Sequence, residues 1–513
     1  MGSTAEEAAR GRNAAGRLLR ADAVPAPWQL LGNSPEAWIA FDRETRRVQR
    51  FSPGAPVRRL EARLCHPDGR VRAAALAAWR NPPLQLVVIR CADWVPQVRE
   101  RARRVLGRAL ADHPARTRDR ARRVLGRPVA GDLADALTAL TPLVLRLAGR
   151  EHGGWAAEQL EAALSGRYSL LAAWWRPGQP ATTWSWNSLT PQQRAGILDR
   201  LGHGTDLRSR RFAARVALAT GHHCVRERAR RAAAEPDPVT ARMWTDAVLA
   251  AMAADGPDDG AVDALLGSRF PAVRAAGVTA LRGAGRAAEA HRYLADRAGT
   301  VRACARWLLR QDGGDPYAAY RALLADPQRV TGPAVTGFAE TAGSDGVPLL
   351  RTLLEHPEGA VRAAALTGLR RLGARVEVPV LLTLLEDRSA STAREATRQL
   401  LPSAERLDTA GLAALTGPQW PPHTRRAAFR LLQGRGGSAE LRAAVALLTD
   451  PDPGTRRRAR DGVATWNWLS TLHEGEAERA ELGGLLARAA RHLGARELRL
   501  SPARGAADRD ARR

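Results

Sequence analysis

The sequence contains no lysine. That absence removes phosphate-binding loops of the Walker type, which need a lysine beside their glycines. Cysteine is nearly as scarce: Cys65, Cys91, Cys224 and Cys304 stand far apart with no CxxC spacing. Neither a disulfide framework nor a zinc site is indicated, and no metal or cofactor is expected. No run of about eighteen apolar residues occurs, which excludes a membrane-spanning helix. The first twenty residues carry acids where a secretory signal needs bases, and they lack an apolar stretch. A cytoplasmic, reducing location is the expectation. Aromatic residues make up only 5% of the chain, and alanine dominates, which suits closely stacked helices better than a sheet sandwich.

What is present is arginine. All 79 basic residues of the lysine-arginine class are arginine, against 53 Asp and Glu, for a formal charge of +26. Three isoleucines and five asparagines beside abundant Ala, Arg, Gly and Pro mark a GC-rich genome, expected to be bacterial. Codon bias explains why the basic residue is arginine, but Asp and Glu were equally available. The net charge therefore suggests either an anionic partner, protein or nucleic acid, or a solvated polar face that keeps an alanine-rich solenoid soluble.

The arginines recur. An arginine near a helix start, a small residue three places on and an apolar residue seven places on fall at Arg72/Ala75/Trp79, Arg99/Ala102/Leu106, Arg274/Gly277/Leu281, Arg302/Ala305/Leu309, Arg362/Ala365/Leu369, Arg425/Ala428/Leu432 and Arg456/Ala459/Val463. Arg394/Thr397/Leu401 and Arg242/Thr245/Leu249 fit less closely. From Arg242 to Arg456 the intervals are 32, 28, 60, 32, 31 and 31, the 60 being two units with a worn copy near Thr331 and Gly332. A period of about thirty predicts a stacked repeat array, all-α if each unit is a helix pair. Acid or His-Pro turns precede many of the arginines, as at His66-Pro67-Asp68, Asp237-Pro238, His356-Pro357-Glu358 and Asp450-Pro451-Asp452-Pro453. They read as helix starts in register.

The segments follow from the pattern. Residues 1–56 give an N-terminal helix and a cap, with Trp38 to Phe41 and Val48 to Phe51 around a charged turn suggesting a β-hairpin. The first repeats span 57–128 and contain "RARRVLGR" twice. An irregular helical, Trp-rich interruption fills 129–205, the main array runs over 206–468, a closing helix over 469–500 and a disordered tail over 501–513. Lone tryptophans in helix patterns, such as Trp79 and Trp307, are expected in the core.

The units "HPDGRVRAAALAAW", "PAVRAAGVTALRGAG", "GTVRACARWLL" and "HPEGAVRAAALTGLRRLG" resemble HEAT repeats of the short, phycobilin-lyase-like kind. The resemblance implies an α-solenoid of stacked helix pairs with the second helix of each pair on the concave face. It also implies that the first-turn arginine pairs with an acid or carbonyl of the adjoining unit. Arg72, Arg99, Arg274, Arg302, Arg362, Arg394, Arg425 and Arg456 would then form an internal ladder, with Arg370 left on solvent. The fold is nearly silent about function, because the repeat serves enzymes, scaffolds and adaptors alike.

Chemistry is hard to find. His222-His223-Cys224, with His203 upstream, is the one tight group of metal-ligand types, and adjacent ligands on a helix diverge. The HEAT-repeat enzyme deoxyhypusine hydroxylase binds iron through several His-Glu pairs; this chain has one, His473-Glu474. A HEAT-like alkylpurine DNA glycosylase is resembled only through the Trp38 to Asp42 spacing. Binding surfaces are better supported. Val98 to Arg127 holds eleven arginines against three acids, and Arg101, Arg103, Arg104, Arg108, Arg120, Arg122, Arg123 and Arg127 lie off the apolar stripe. A second basic cluster runs from Arg208 to Arg231. Trp174, Trp175, Trp184 and Trp186 are either packing that covers the flanking repeat edges or candidate aromatic anchors for a partner. The expectation is a monomeric, non-enzymatic scaffold holding an acidic or extended protein partner on its concave surface. The alternative is a nucleic-acid-binding protein, with a glycosylase-type repair enzyme as one form of it.

Overall fold

A computed structural model of the chain describes residues 4–20, 27–51, 59–78, 82–111, 133–166, 189–221, 223–466 and 476–493. Among the described residues every regular element is a helix. The chain divides into two compact units, Met1–Gly277 and Val278–Arg513.

In the second unit, helices Gly332–Ala339, Gly359–Arg371, Ala390–Leu400, Pro422–Arg435 and Pro453–Thr465 pack each on the next, forming a main layer. Helices Val378–Leu385, Thr409–Ala414 and Gly437–Leu447 each pack against the main-layer helix that follows and form a backing layer. This is an α-solenoid of stacked helix pairs. In the first unit, Gly69–Ala78 packs on Pro96–Ala111, and Leu207–Thr220 on Pro238–Asp255. One hydrophobic cluster there runs from Ala14 to Val273.

The sequence triplet explains the packing. The small residues Ala102, Ala305, Ala365, Ala428 and Ala459 are fully buried, and at Gly277 a Cβ would come within 2.9 Å of the Leu266 nitrogen. A larger side chain would push the layers apart. The apolar partners Leu281, Leu369, Leu432 and Val463 are equally buried. Helix starts are set by side-chain caps: Asp206 accepts from Ser209 N, Asp237 from Thr240 N and Asp452 from Thr455 N. The worn copy is the helix Gly332–Ala339, capped by Thr331, with buried Val335 in the arginine's place.

Two expectations need correction. Trp38 to Phe51 is not a hairpin but part of one helix, Pro35–Phe51. Ser34 accepts the Ala37 N–H at its start, and the buried side chains Trp38, Phe41, Thr45 and Gln49 follow the helical period rather than alternation. Of the charged "turn", Arg43 and Arg47 lie on the exposed flank of that helix, while Asp42 and Thr45 are buried. Trp307 is 42% exposed, with Arg282 5.9 Å from its ring. Trp79, the second RARRVLGR copy, the Trp-rich run and the 501–513 tail lie outside the described residues.

Candidate interaction surface

The fourth residue of each repeating helix points into the junction with the next repeat. Arg72 sits at that position, fully buried, and grips fully buried Asp93 with two bonds of 2.9 and 2.7 Å. Its remaining nitrogen closes the preceding turn on the carbonyls of His66 and Pro67 at 2.7 and 2.8 Å. Arg362 repeats this on Asp387, at 2.7 and 2.6 Å, and on the carbonyls of His356 and Pro357. Arg425 does so on Asp450, at 2.7 Å twice, and on the Trp420 carbonyl. Arg302 reaches Glu340 at 2.6 Å and the Asp296 carbonyl at 2.8 Å. A fork of planar donors satisfies both an acid and a turn, which lysine could not do.

The acids serve two repeats at once. Asp93, Asp387 and Asp450 each accept the backbone N–H two residues on, at 3.0, 2.7 and 2.8 Å, shaping the turn into the next helix. The carbonyls of Asp93 and Asp450 then accept Arg99 and Arg456, at 2.8 and 2.6 Å. Arginine, acid and the next arginine form a relay. Arg274 closes its own turn on the carbonyls of Ser268 and Arg269, at 2.9 and 3.0 Å.

Arg394 does not join it. Helix Ala390–Leu400 places Ala393 at the fourth position and Arg394 at the fifth, about 100° further round, where it is exposed. Arg242 is displaced in the same way by Ala241 and is exposed beside Asp246. In contrast Arg210, read as part of a surface cluster, is at the fourth position of its helix; it bonds the Gly204 carbonyl at 3.1 Å and pairs with Glu235 at 2.9 Å. A constant offset of 25 residues separates Arg210 from Glu235, Arg362 from Asp387 and Arg425 from Asp450, a signal that could have named the acids from sequence. Arg370 is also not simply solvated, since it donates to buried Glu395 at 2.9 Å while itself 47% exposed.

The first unit adds a buried ionic cluster. Arg90, 1% exposed, bridges Asp42 and Asp93, and Arg46 also pairs with Asp42. Burial alone would raise the Asp42 carboxyl, but Arg90 and Arg46 outweigh it and hold it below its ordinary value. Trp94 lies over this cluster, its ring 4.3 Å from Arg46 and 4.4 Å from Arg72. Trp38 is fully buried and donates to the Gly32 carbonyl at 2.8 Å. The Trp38 and Asp42 pair is thus core and ion pair, and its spacing reflects one helix face rather than a base-binding groove. Burial pushes the Cys91 thiol up to about 12 and raises Cys65 as well.

The expected basic face divides. Arg101 donates to the Ala73 carbonyl at 3.1 Å and Arg103 stacks 4.8 Å from the Trp155 ring, so both hold helices together. Arg104 is exposed. The Arg108 side chain and Arg120, Arg122, Arg123, Arg127, Trp174, Trp175, Trp184 and Trp186 lie outside the described residues, as does His222. His223 packs on Trp244, and Cys224 precedes the helix Val225–Ala234. Among the described residues no group of three or more His, Cys, Asp or Glu gathers as a metal site, and no helix is long and apolar enough to cross a membrane.

Arginines absent from the sequence-based surface, exposed except for half-buried Arg426, stand on the main layer of the second unit. Arg394, Arg426 and Arg457 occupy the fifth position of three successive helices, and Arg398 and Arg430 stand one turn further along two of them. Arg394, Arg430 and Arg457 make no ion pair or hydrogen bond among the described residues.

The architecture defines an all-α repeat protein of stacked helix pairs. The family described as HEAT repeats matches residues 318–402, which identifies that stretch as HEAT repeat. Comparison with curated proteins gave no match. Among solved structures, the chain is similar to one from the complex in which Kap95p binding induces the switch loops of RanGDP to adopt the GTP-bound conformation. Identity is 14% and the TM-score 0.35; the match covers 90% of this chain and 65% of that one.

Proposed function

We propose that the protein is a non-enzymatic interaction scaffold that holds an acidic or extended protein partner on the face of its main-layer helices, the concave side in a HEAT array. The carrying observation is the division of arginines by helix position. Arg72, Arg302, Arg362 and Arg425 at the fourth position neutralise acids inside the junctions, whereas Arg394 and Arg457 at the fifth in the second unit keep their charge on the surface. A surplus of this kind steers and orients an anionic partner. The interval of 31 to 32 residues between Arg362, Arg394, Arg425 and Arg456 supports the short, phycobilin-lyase-like repeat type, and the reading places the protein as a monomer in the bacterial cytoplasm. Affinity purification from native cells, with nuclease on half the sample, tests it. A protein partner that survives nuclease, with a shallow salt dependence, is the expected result. A partner lost on nuclease treatment, with a steep linear fall of log affinity against log salt, would make nucleic acid the ligand instead.

A further inference from the structure

The main-layer arginines of the second unit are regular enough to specify what they bind. Arg394, Arg426 and Arg457 share one helix position on helices that pack in succession. Packed helix axes lie about 8 to 10 Å apart, so the three guanidinium stems repeat at about that pitch. Arg430 adds a charge about one turn along its helix, roughly 6 Å away. Arg426 is half-buried: it donates Nε to the Pro422 carbonyl at 3.0 Å, and its Nη1 lies toward Gly454 beside Asp452, whose carboxyl it helps to hold low, so a peptide carboxylate there competes with Asp452. Arg398 is already held by Glu395.

We infer that this row binds an extended acidic peptide in the polyproline II conformation with a carboxylate at every third residue. That conformation has three residues per turn and rises about 3.1 Å per residue, so every third side chain returns to one face after about 9.3 Å. Its pitch matches the helix spacing, and each carboxylate meets one guanidinium with little ordering cost to the peptide. A fully extended strand alternates faces and returns after about 6.6 Å, which falls out of phase with the row. Two features disfavour a nucleic acid. Asp461, exposed, holds the position on Pro453–Thr465 that Arg398 and Arg430 hold on their helices, so a continuous phosphate chain would run against it. Among the described residues, none of the exposed large apolar side chains lies on these three helices, which leaves bases no stacking platform.

The inference rests on the scaffold reading and is tested separately from it. Fluorescence anisotropy with the full chain at low salt would compare three labelled probes of equal length: repeated Glu-Pro-Pro triplets, the same residues with all Glu contiguous, and a single-stranded oligonucleotide. The triplet peptide should bind tightest. Combining Arg394→Glu, Arg426→Glu and Arg457→Glu should weaken it at least about tenfold, and the Gln versions less, with helicity by circular dichroism unchanged. Arg104→Glu, Arg208→Glu and Arg230→Glu in the first unit should change it by less than about twofold. Equal binding of the contiguous-Glu peptide, tighter binding of the oligonucleotide, or indifference to the triple reversal each overturns the inference. A native protein partner recovered equally by wild type and triple variant would leave the scaffold standing and remove this face. No partner with either would end the scaffold reading, while the peptide titration decides this one.

Discussion

Arg211 and Arg242 in the first unit occupy the same helix position as Arg394 and Arg457 in the second, yet their surroundings differ. Arg211 holds Asp237 with two bonds of 2.9 Å, and Arg242 has Asp246 one turn along at 3.5 Å. Arg215, a turn beyond Arg211, pairs with Glu161 at 3.0 Å. Arg394 and Arg457 have no carboxylate within pairing distance among the described residues. This register is ion-paired in the first unit at Arg211 and Arg242, whereas in the second, among the described residues, Arg394 and Arg457 stand outside pairing distance and Arg426 alone shares its charge, with Asp452. Net charge alone cannot locate a binding face; position within the repeat can.

The largest expected effect is on the shared ladder. Arg425→Ala should cost about 3 to 5 kcal/mol, because Asp450 is left buried without a cation. Arg72→Ala in the first unit should cost less, since Arg90 remains 3.1 Å from Asp93. Urea denaturation that ranks them the other way would break the idea that the first unit's cluster shares its load. Leu369→Ala should cost about 2 to 5 kcal/mol through a cavity at a fully buried site. On the surface, Arg370→Ala should cost below about 1 kcal/mol through its half-exposed bond to Glu395. Arg394→Ala should leave stability within about 0.5 kcal/mol, and a ladder-sized loss there would restore it to the junction.

The smallest effect is in pH dependence, where the units take opposite signs. Asp42 in the first unit is held low, so its contribution is present above its unfolded value and is lost as pH falls through the folded one. Glu440 in the second is raised by burial from 4.5 to about 7. The folded state then holds the proton more tightly, and that stability is present below about pH 4.5 and lost as pH rises to about 7. Glu440→Gln should therefore melt higher than wild type at pH 8 and match it at pH 4 in thermal scans. An equal shift at both pH values would mean that the carboxyl does not titrate in this window.

Much of the fold is legible in the chain because the junction needs three residue types at fixed spacing, and that need leaves a period. Register was harder to read. Nothing in the letters marks Arg394 as fifth rather than fourth, because the start of its helix at Ala390 carries no proline or side-chain cap. The helix Pro35–Phe51 was obscured for a related reason: two of its buried residues, Thr45 and Gln49, are polar, so a search for apolar periodicity sees only its ends. The ladder acids were hidden by having two jobs. Asp450 resembles a helix cap, and its partner Arg425 lies a repeat away.

The relays from Arg72 through Asp93 to Arg99 and from Arg425 through Asp450 to Arg456 make the first turns of the helices Pro96–Ala111 and Pro453–Thr465 dependent on an acid held by the preceding arginine. Where alanine or valine replaces the arginine, at Ala241, Val335 and Ala393, that dependence lapses. Around Ala393 a substitute spans further: His423 contacts the Asp387 carbonyl at 2.9 Å from the next main-layer helix. A chain pulled from its ends would accordingly not yield like a uniform spring. The junctions at Ala241 and Val335 would open at low force, and segments bounded by intact relays would come away as whole blocks.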